Sequence, residues 1–164
     1  MDDITTQTAR PKRATSLPPR WIIRGFWVGH RALLRATGDR VGLAAPAPGG
    51  RFGMLRLRTL GRRSGQEREA VIGYAEDGAN IVTLAMNGWG AAEPAWLLNL
   101  RAHPEAHVDL VGGETRRVRA REATGDERDR LWALIDGYEG YGDLEAMPAL
   151  RGTPTAVVVL EPAD

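Results

Sequence analysis

The residues best equipped for chemistry lie in one short stretch, Leu60-Gly61-Arg62-Arg63-Ser64-Gly65-Gln66-Glu67-Arg68. Two glycines bracket two arginines and a serine, and a third arginine follows four residues after Ser64. Such a turn offers exposed backbone N–H groups beside guanidinium forks, which suits a phosphate or a carboxylate. The same composition also serves a solvated hairpin, where Gly makes the turn and Arg keeps it soluble. The turn alone leaves those two readings balanced. Other chemistry is harder to place. The chain has no G-x-S-x-G, no Walker A motif and no H-E-x-x-H. It has no cysteine, which excludes thiol catalysis, disulfide scaffolds and cysteine-ligated zinc. The run Gly137-Tyr138-Glu139-Gly140-Tyr141-Gly142 has the wrong glycine order for a dinucleotide fingerprint. His103 and His107 are four apart, but Pro104 intervenes and His107 falls in a strand pattern, so they lack a shared face for a metal.

The elements that must position the turn are mostly strands. Met54–Thr59 alternates cleanly up to it, and further strand patterns cover 69–75, 80–86, 106–111, 115–122 and 155–160. Gly112-Gly113 and Asp77-Gly78 read as hairpin turns between neighbouring strands. One helix starts at Pro94 and stops before Pro104. A second opens on Thr124-Gly125-Asp126-Glu127, a capping-box pattern, and runs to about Gly137. Hairpin-linked strands with only two internal helices predict a small antiparallel barrel or sandwich with helices appended. A chain of 164 residues fits one such domain.

Charge divides the chain. Residues 1 to 50 carry eight Lys/Arg against three Asp, a net of +5, so the remainder carries −4 to reach the formal +1. Residues 1 to 17 read as a disordered tail. Pro18-Pro19 then opens a helical pattern to about Thr37, with Arg20, Arg24, Arg31 and Arg35 on one stripe. A cationic amphipathic helix bearing Trp21 and Trp27 suits peripheral contact with an anionic membrane through residues 18–37. Its apolar face would equally pack on the body of the protein. Residues 44–50 read as a flexible linker. The domain division expected is therefore 1–50 for tail, helix and linker and 51–164 for the folded domain. No secretory signal or transmembrane-length stretch is visible, which sets a cytoplasmic expectation. The acidic body and the short basic stripe argue against nucleic-acid binding.

Three motifs together resemble the deazaflavin-dependent nitroreductase family of the flavin split-barrel superfamily. They are Gly61-Arg62-Arg63-Ser64-Gly65-Gln66-x-Arg68, then Asn87-Gly88-Trp89 followed by Glu93 to Pro104, and the closing Ala156 to Pro162. Ala120 to Thr124 fits as well. The resemblance covers about two-thirds of the chain. It implies a mainly β (α+β) fold, a small antiparallel split β-barrel of about six strands with an N-terminal amphipathic helix and two further helices. It also implies coenzyme F420, an 8-hydroxy-5-deazaflavin hydride carrier with a phosphate and a glutamate tail. Split barrels commonly dimerise, which makes a homodimer an expectation by fold analogy.

By that resemblance Arg62, Arg63, Ser64 and Arg68, with Glu69 beside them, would grip the anionic end of the cofactor. Leu84, Ala85, Met86, Asn87 and Gly88 would bring backbone groups to the ring. Ala95, Trp96, Leu97 and Asn99 would line it with a helix, Trp96 either as a wall or as a core anchor. Asn99 either contacts the ligand or orients a loop. Tyr138 and Tyr141 match a Tyr-x-x-Tyr arrangement that shapes the family's substrate pocket; they would either supply a proton or serve packing or a lid hinge helped by Gly137, Gly140 and Gly142. The chain departs from some members in having Leu144 in place of a third tyrosine, Met86 in place of a serine and Asn87 in place of a lysine. The implied reaction is hydride transfer from reduced F420 to a quinone, nitroaromatic or activated enone. The alternatives are a deazaflavin-binding protein without turnover and an FMN-dependent oxidoreductase of the same fold.

Overall fold

Strand β1, Gly53–Leu60, forms because leucines and arginines alternate: Leu55 and Leu57 are buried while Arg56 and Arg58 face outward. The computed structural model describes residues 42–164 except 88, 89, 91, 143 and 146–151. The expected tail and the helix over 18–37 lie outside the described residues. The other elements are β2 (Glu67–Asp77), β3 (Asn80–Leu84), α1 (Ala95–Ala102), β4 (Glu105–Asp109), β5 (Thr115–Glu122), α2 (Gly125–Asp136) and β6 (Val157–Pro162). The strands close into a barrel in the order β1-β2-β3-β6-β5-β4, with every neighbouring pair antiparallel.

Two apolar clusters hold it. The barrel interior gathers Leu55, Leu57, Ile72, Tyr74, Ile81, Val108, Val118, Val158 and Leu160, and α1 adds Trp96, Leu97 and Leu100. The second cluster lies outside the barrel, where α2 (Leu131, Ile135) covers Ala75, Val82, Leu84, Val157 and Val159. Strands β3 and β6 are thus buried on both faces, which explains the unbroken run Val157 to Leu160 where an alternation would otherwise stand.

The expected elements are present with shifted ends. Strand β3 stops at Leu84, short of residue 86, because the chain tightens and the Met86 N–H donates to the Leu84 carbonyl (2.8 Å). Gly78, Gly112 and Gly113 have positive φ at the two hairpins, as their turns require. The capping box does not form. Thr124 stands at the helix start without a side-chain cap bond, and the Glu127 carboxylate is taken instead by both Arg121 terminal nitrogens at 2.7 Å. Residues 44–50, read as a linker, lie on the barrel: Ala44 bridges to Met54, and the Gly50 N–H donates to the Ala47 carbonyl.

Candidate functional site

The closed barrel has its shortest ladder at one seam, between β2 and β3. Strand β2 has eleven residues and β3 only five, and their ladder consists of Ala75–Val82, Glu76–Ile81 and Asp77–Asn80. Past it, the Thr83 hydroxyl donates to the Gly73 carbonyl at 2.7 Å, in place of a further backbone rung. The portion of β2 from Glu67 to Gly73 is held by β1 and ends in the Arg-rich turn. Continuing the register would set Leu84 opposite Gly73, so Leu84 to Asn87 flank the seam from its other side. Leu84 and Ala85 are buried, Met86 is half-buried and Asn87 is exposed. Gly88 lies outside the described residues.

The turn itself is tightly made. The Gly61 N–H donates to the Gln66 carbonyl and the Gly65 N–H to the Gly61 carbonyl, both at 2.8 Å, with Gly65 at φ +62°. A side chain on Gly61 would meet the Ser64 hydroxyl and the Gln66 carbonyl, so the two glycines answer to geometry. Arg62, Arg63, Ser64, Arg68 and Glu69 are all exposed. The Arg68 guanidinium donates to Ser64 Oγ and Gln66 Oε1, both at 3.4 Å.

Asn99 pins this turn from inside. It is 4% exposed, and its Oδ1 accepts from the Arg62 N–H (3.2 Å) and from Arg62 Nη1 (3.5 Å). Its Nδ2 donates to the Thr59 hydroxyl (3.1 Å), which in turn donates to the Arg68 carbonyl (3.4 Å). These bonds tie Asn99 to the turn and to the end of β1. Trp96 and Leu97 belong to the interior core, so α1 supports the turn with buried side chains while Ala95 is exposed. Thr59 was not singled out from the sequence, because a threonine in a strand carries no local sign of a buried relay.

Among the described residues the arginines divide sharply. Arg56, Arg58, Arg101, Arg116, Arg117, Arg119, Arg121, Arg128 and Arg130 all pair with a carboxylate. Arg62, Arg63 and Arg68 pair with none, although Glu67 and Glu69 lie close to them in sequence; outside the turn, Arg51 alone among the described arginines also lacks a carboxylate partner. Glu67 approaches Arg58 instead, at 3.7 Å. Three cations in one turn are therefore free to take an external anion.

The two tyrosines lie toward the other end of β2. Tyr141 and Tyr138 join the outer cluster under α2, away from the turn. The Tyr141 hydroxyl is buried with no hydrogen-bond partner among the described residues, and it approaches within 3.0 Å of where a Cβ on Gly73 would stand. Burial, and then the nearby Tyr138, push its phenol up. It therefore stays protonated near neutral pH. The structure thus does not bring tyrosines and arginines into contact; it sets them along one strand, from Arg68 to Gly73, about 17 Å at a strand's rise. A separate depression of 390 Å³ along α2 is lined by Trp132, Leu144 and charged residues, and holds none of the expected site residues. No group of three His, Asp or Glu residues gathers among the described residues, so His103 and His107 have no third ligand there.

The chain is similar to known proteins in sequence and in fold. The model of the F420H(2)-dependent quinone reductase family matches residues 27–162. An F420H(2)-dependent quinone reductase of Mycobacterium tuberculosis is 31% identical over 123 residues, 71% of this chain and 80% of its own. A second protein of that organism, with the same activity in its name, is 34% identical over 109 residues, 66% of this chain and 88% of its own. Among solved structures, an F420-H2-dependent reductase superposes with a TM-score of 0.59 at 23% identity, covering 73% of this chain and 96% of its own. A domain-swapped dimer superposes with a TM-score of 0.61 at 24% identity, covering 86% and 97%. At those identities the two structures speak for the split-barrel fold.

Proposed function

The chain belongs to the F420H(2)-dependent quinone reductase family, and from that premise we propose how its own residues serve the reaction. It is an oxidoreductase that takes a hydride from reduced F420 to a small electron-poor acceptor of the quinone class. The bound deazaflavin would supply the hydride; the protein supplies binding, orientation and a proton.

Arg62, Arg63 and Arg68 grip the phosphate and glutamate end through charge-assisted bonds, with Ser64 beside them. The observation that carries this reading is their lack of carboxylate partners, set against the paired arginines elsewhere. A polyanion fits such a turn, and FMN, with one phosphate, would use fewer of the three cations. Asn99 and Thr59 hold the turn's shape before the ligand arrives, which lowers the ordering cost of binding. The seam between β2 and Leu84 to Asn87 receives the ring, where main-chain groups meet its polar edge. Tyr141, kept protonated by burial, holds a proton at its hydroxyl for the acceptor side, with Tyr138 shaping the approach. Nitroaromatics and enones are secondary acceptors by the same chemistry.

The homodimer and peripheral membrane contact through 18–37 belong to this reading as well. No helix among the described residues is long and apolar enough to cross a membrane. Liposome flotation with and without residues 1–40, at low and high salt, tests the contact; equal association of both forms would reject it.

The test of function is a titration with oxidised F420 and with FMN, followed by turnover of reduced F420 with menadione. Tight F420 binding with menadione turnover is expected. Binding without turnover of any acceptor would leave a carrier protein, and FMN copurifying without F420 binding would overturn the cofactor assignment.

A further inference from the structure

We propose that Phe52 is a positioning residue for the acceptor side of the site, acting by holding Tyr141 against the outer face of β2 at Gly73. Phe52 sits just before β1. Its ring lies 4.3 Å from the Tyr141 ring, tilted by 37°. Two glycines make the slot it occupies. A Cβ on Gly73 would stand 2.9 Å from Phe52 Cδ2 and Cε2, and a Cβ on Gly140 would stand 2.7 Å from Phe52 Cε1. Gly140 also has φ +107°, so both its backbone and its missing side chain are required. The main chain closes the arrangement: the Glu139 N–H donates to the Gly50 carbonyl at 2.7 Å, and Arg51 bridges to Glu139.

The segment 50–52 thus acts as a clasp on the tyrosine segment. It leaves the Tyr141 hydroxyl buried and unpartnered among the described residues, beside the one β2 position that has no side chain. A buried hydroxyl without a partner is costly. A rigid aromatic packed from behind is what can keep it there. Neither Phe52 nor Gly73 touches the Arg-rich turn, so removing the ring should spare the grip on the cofactor. The catalytic consequence rests on the reading of Tyr141 as facing the acceptor; the holding of Tyr141 does not.

The experiment separates those two statements. Phe52→Ala, Phe52→Leu, Gly73→Ala and Tyr141→Phe are compared with the unmodified protein. Tyr141 nitration by tetranitromethane is mapped by peptide mass, F420 affinity is measured, and menadione turnover is split into kcat and KM. Tyr141 should resist nitration in the unmodified protein and become nitrated in Phe52→Ala. Gly73→Ala, which pushes on the ring and the hydroxyl together, should do the same, and Phe52→Leu should fall between. The kcat of Phe52→Ala should drop about tenfold, the scale of a small misplacement at a reacting group, with F420 affinity unchanged. If Phe52→Ala does not fold, Phe52→Leu and Gly73→Ala carry the test. Unchanged nitration in the folded variants overturns the clasp. Increased nitration with unchanged kcat, while Tyr141→Phe is impaired, overturns the positioning role alone. A Tyr141→Phe protein with normal kcat overturns the acceptor-facing reading, and the catalytic part of this inference with it.

Discussion

The turn at 61–68 and the outer face formed by β1, β4 and β5 are both rich in arginine, yet they spend that charge in opposite ways. On the face, Arg56 Nε and Arg58 Nη2 converge on Asp109 at 2.8 and 3.0 Å, and Thr115 adds a third hydrogen bond at 2.7 Å. Arg117 meets Glu105, and Arg121 meets Glu127 and Glu161. Cross-strand register sets Arg56 opposite Asp109, Glu105 and Glu161 reach their arginines from neighbouring strands, and Glu127 comes from α2. In the turn, Arg62 and Arg63 lie beyond the β1–β2 register and Arg68 stands near its end, opposite Thr59, and all three are exposed with only uncharged hydrogen-bond partners. Internal pairing marks an arginine that serves the fold, and its absence within a built turn marks one that serves a ligand.

The sharpest way to break that contrast is to remove the unpaired cations. Arg62→Ala and Arg63→Ala should each weaken F420 binding by about 1.5–3 kcal/mol, the range for hydrogen bonds to charged groups. The double variant should lose at least about a hundredfold in affinity on the same scale. Calorimetric titration checks this, and stability should hold because neither side chain is buried. Near-normal affinity in the double variant would sink the distinction between the two regions.

Asn99→Ala tests the support beneath the turn. It leaves the buried Thr59 hydroxyl with only its bond to the Arg68 carbonyl and releases the Arg62 backbone. A loss of about 1–3 kcal/mol in unfolding free energy is expected by denaturant titration. F420 affinity should fall by about tenfold through lost preorganisation. A variant that loses stability but keeps full affinity would show that the turn forms without its amide anchor.

Asp109 gives the paired region its own signature. Burial pushes its carboxyl up, but the hydrogen bonds from Thr115 and Arg56 and the charge of Arg58 outweigh this and hold it below the ordinary range. A depressed folded-state pKa contributes stability above the unfolded value, about 3.9, and that contribution is lost as pH falls through the folded value. Asp109→Asn should therefore cost about 1–2 kcal/mol near neutral pH, with the gap from the unmodified protein closing below about pH 4. A gap that stays constant from pH 7 to 3 would mean that shape, not charge, matters at this position.

Much of this was legible in the sequence because the signals were local. The alternation in β1, the glycines of the two hairpins and the bracketing of Arg62 and Arg63 each follow from a few neighbouring residues. The double burial of β6 was visible as an apolar run. What was hidden depended on distant partners. The capping box at Thr124 failed because Arg121 reached Glu127 first. Asn99 could be seen as an amide among leucines, but its partner Thr59 lies forty residues away. Phe52 gave no signal at all, and Gly73 gave only a weak one, a glycine inside a strand where close approach is the usual reason.

The smallest expected effect closes the contrast. Arg121→Ala removes a guanidinium that bonds Glu127 at 2.7 Å and Glu161 at 2.8 Å. Exposed ion pairs of this kind contribute little, because water and side-chain entropy offset the attraction. The substitution should leave F420 affinity within about twofold of normal, even though it deletes the same positive charge as Arg63→Ala. If net charge alone drew the polyanion to the barrel, the two variants would weaken binding alike, and raising the salt would weaken the remaining binding of both by the same factor. If the turn is a built site, only Arg63→Ala should shift the affinity. The ratio between the two is then the measure of how much of the grip is placement rather than charge.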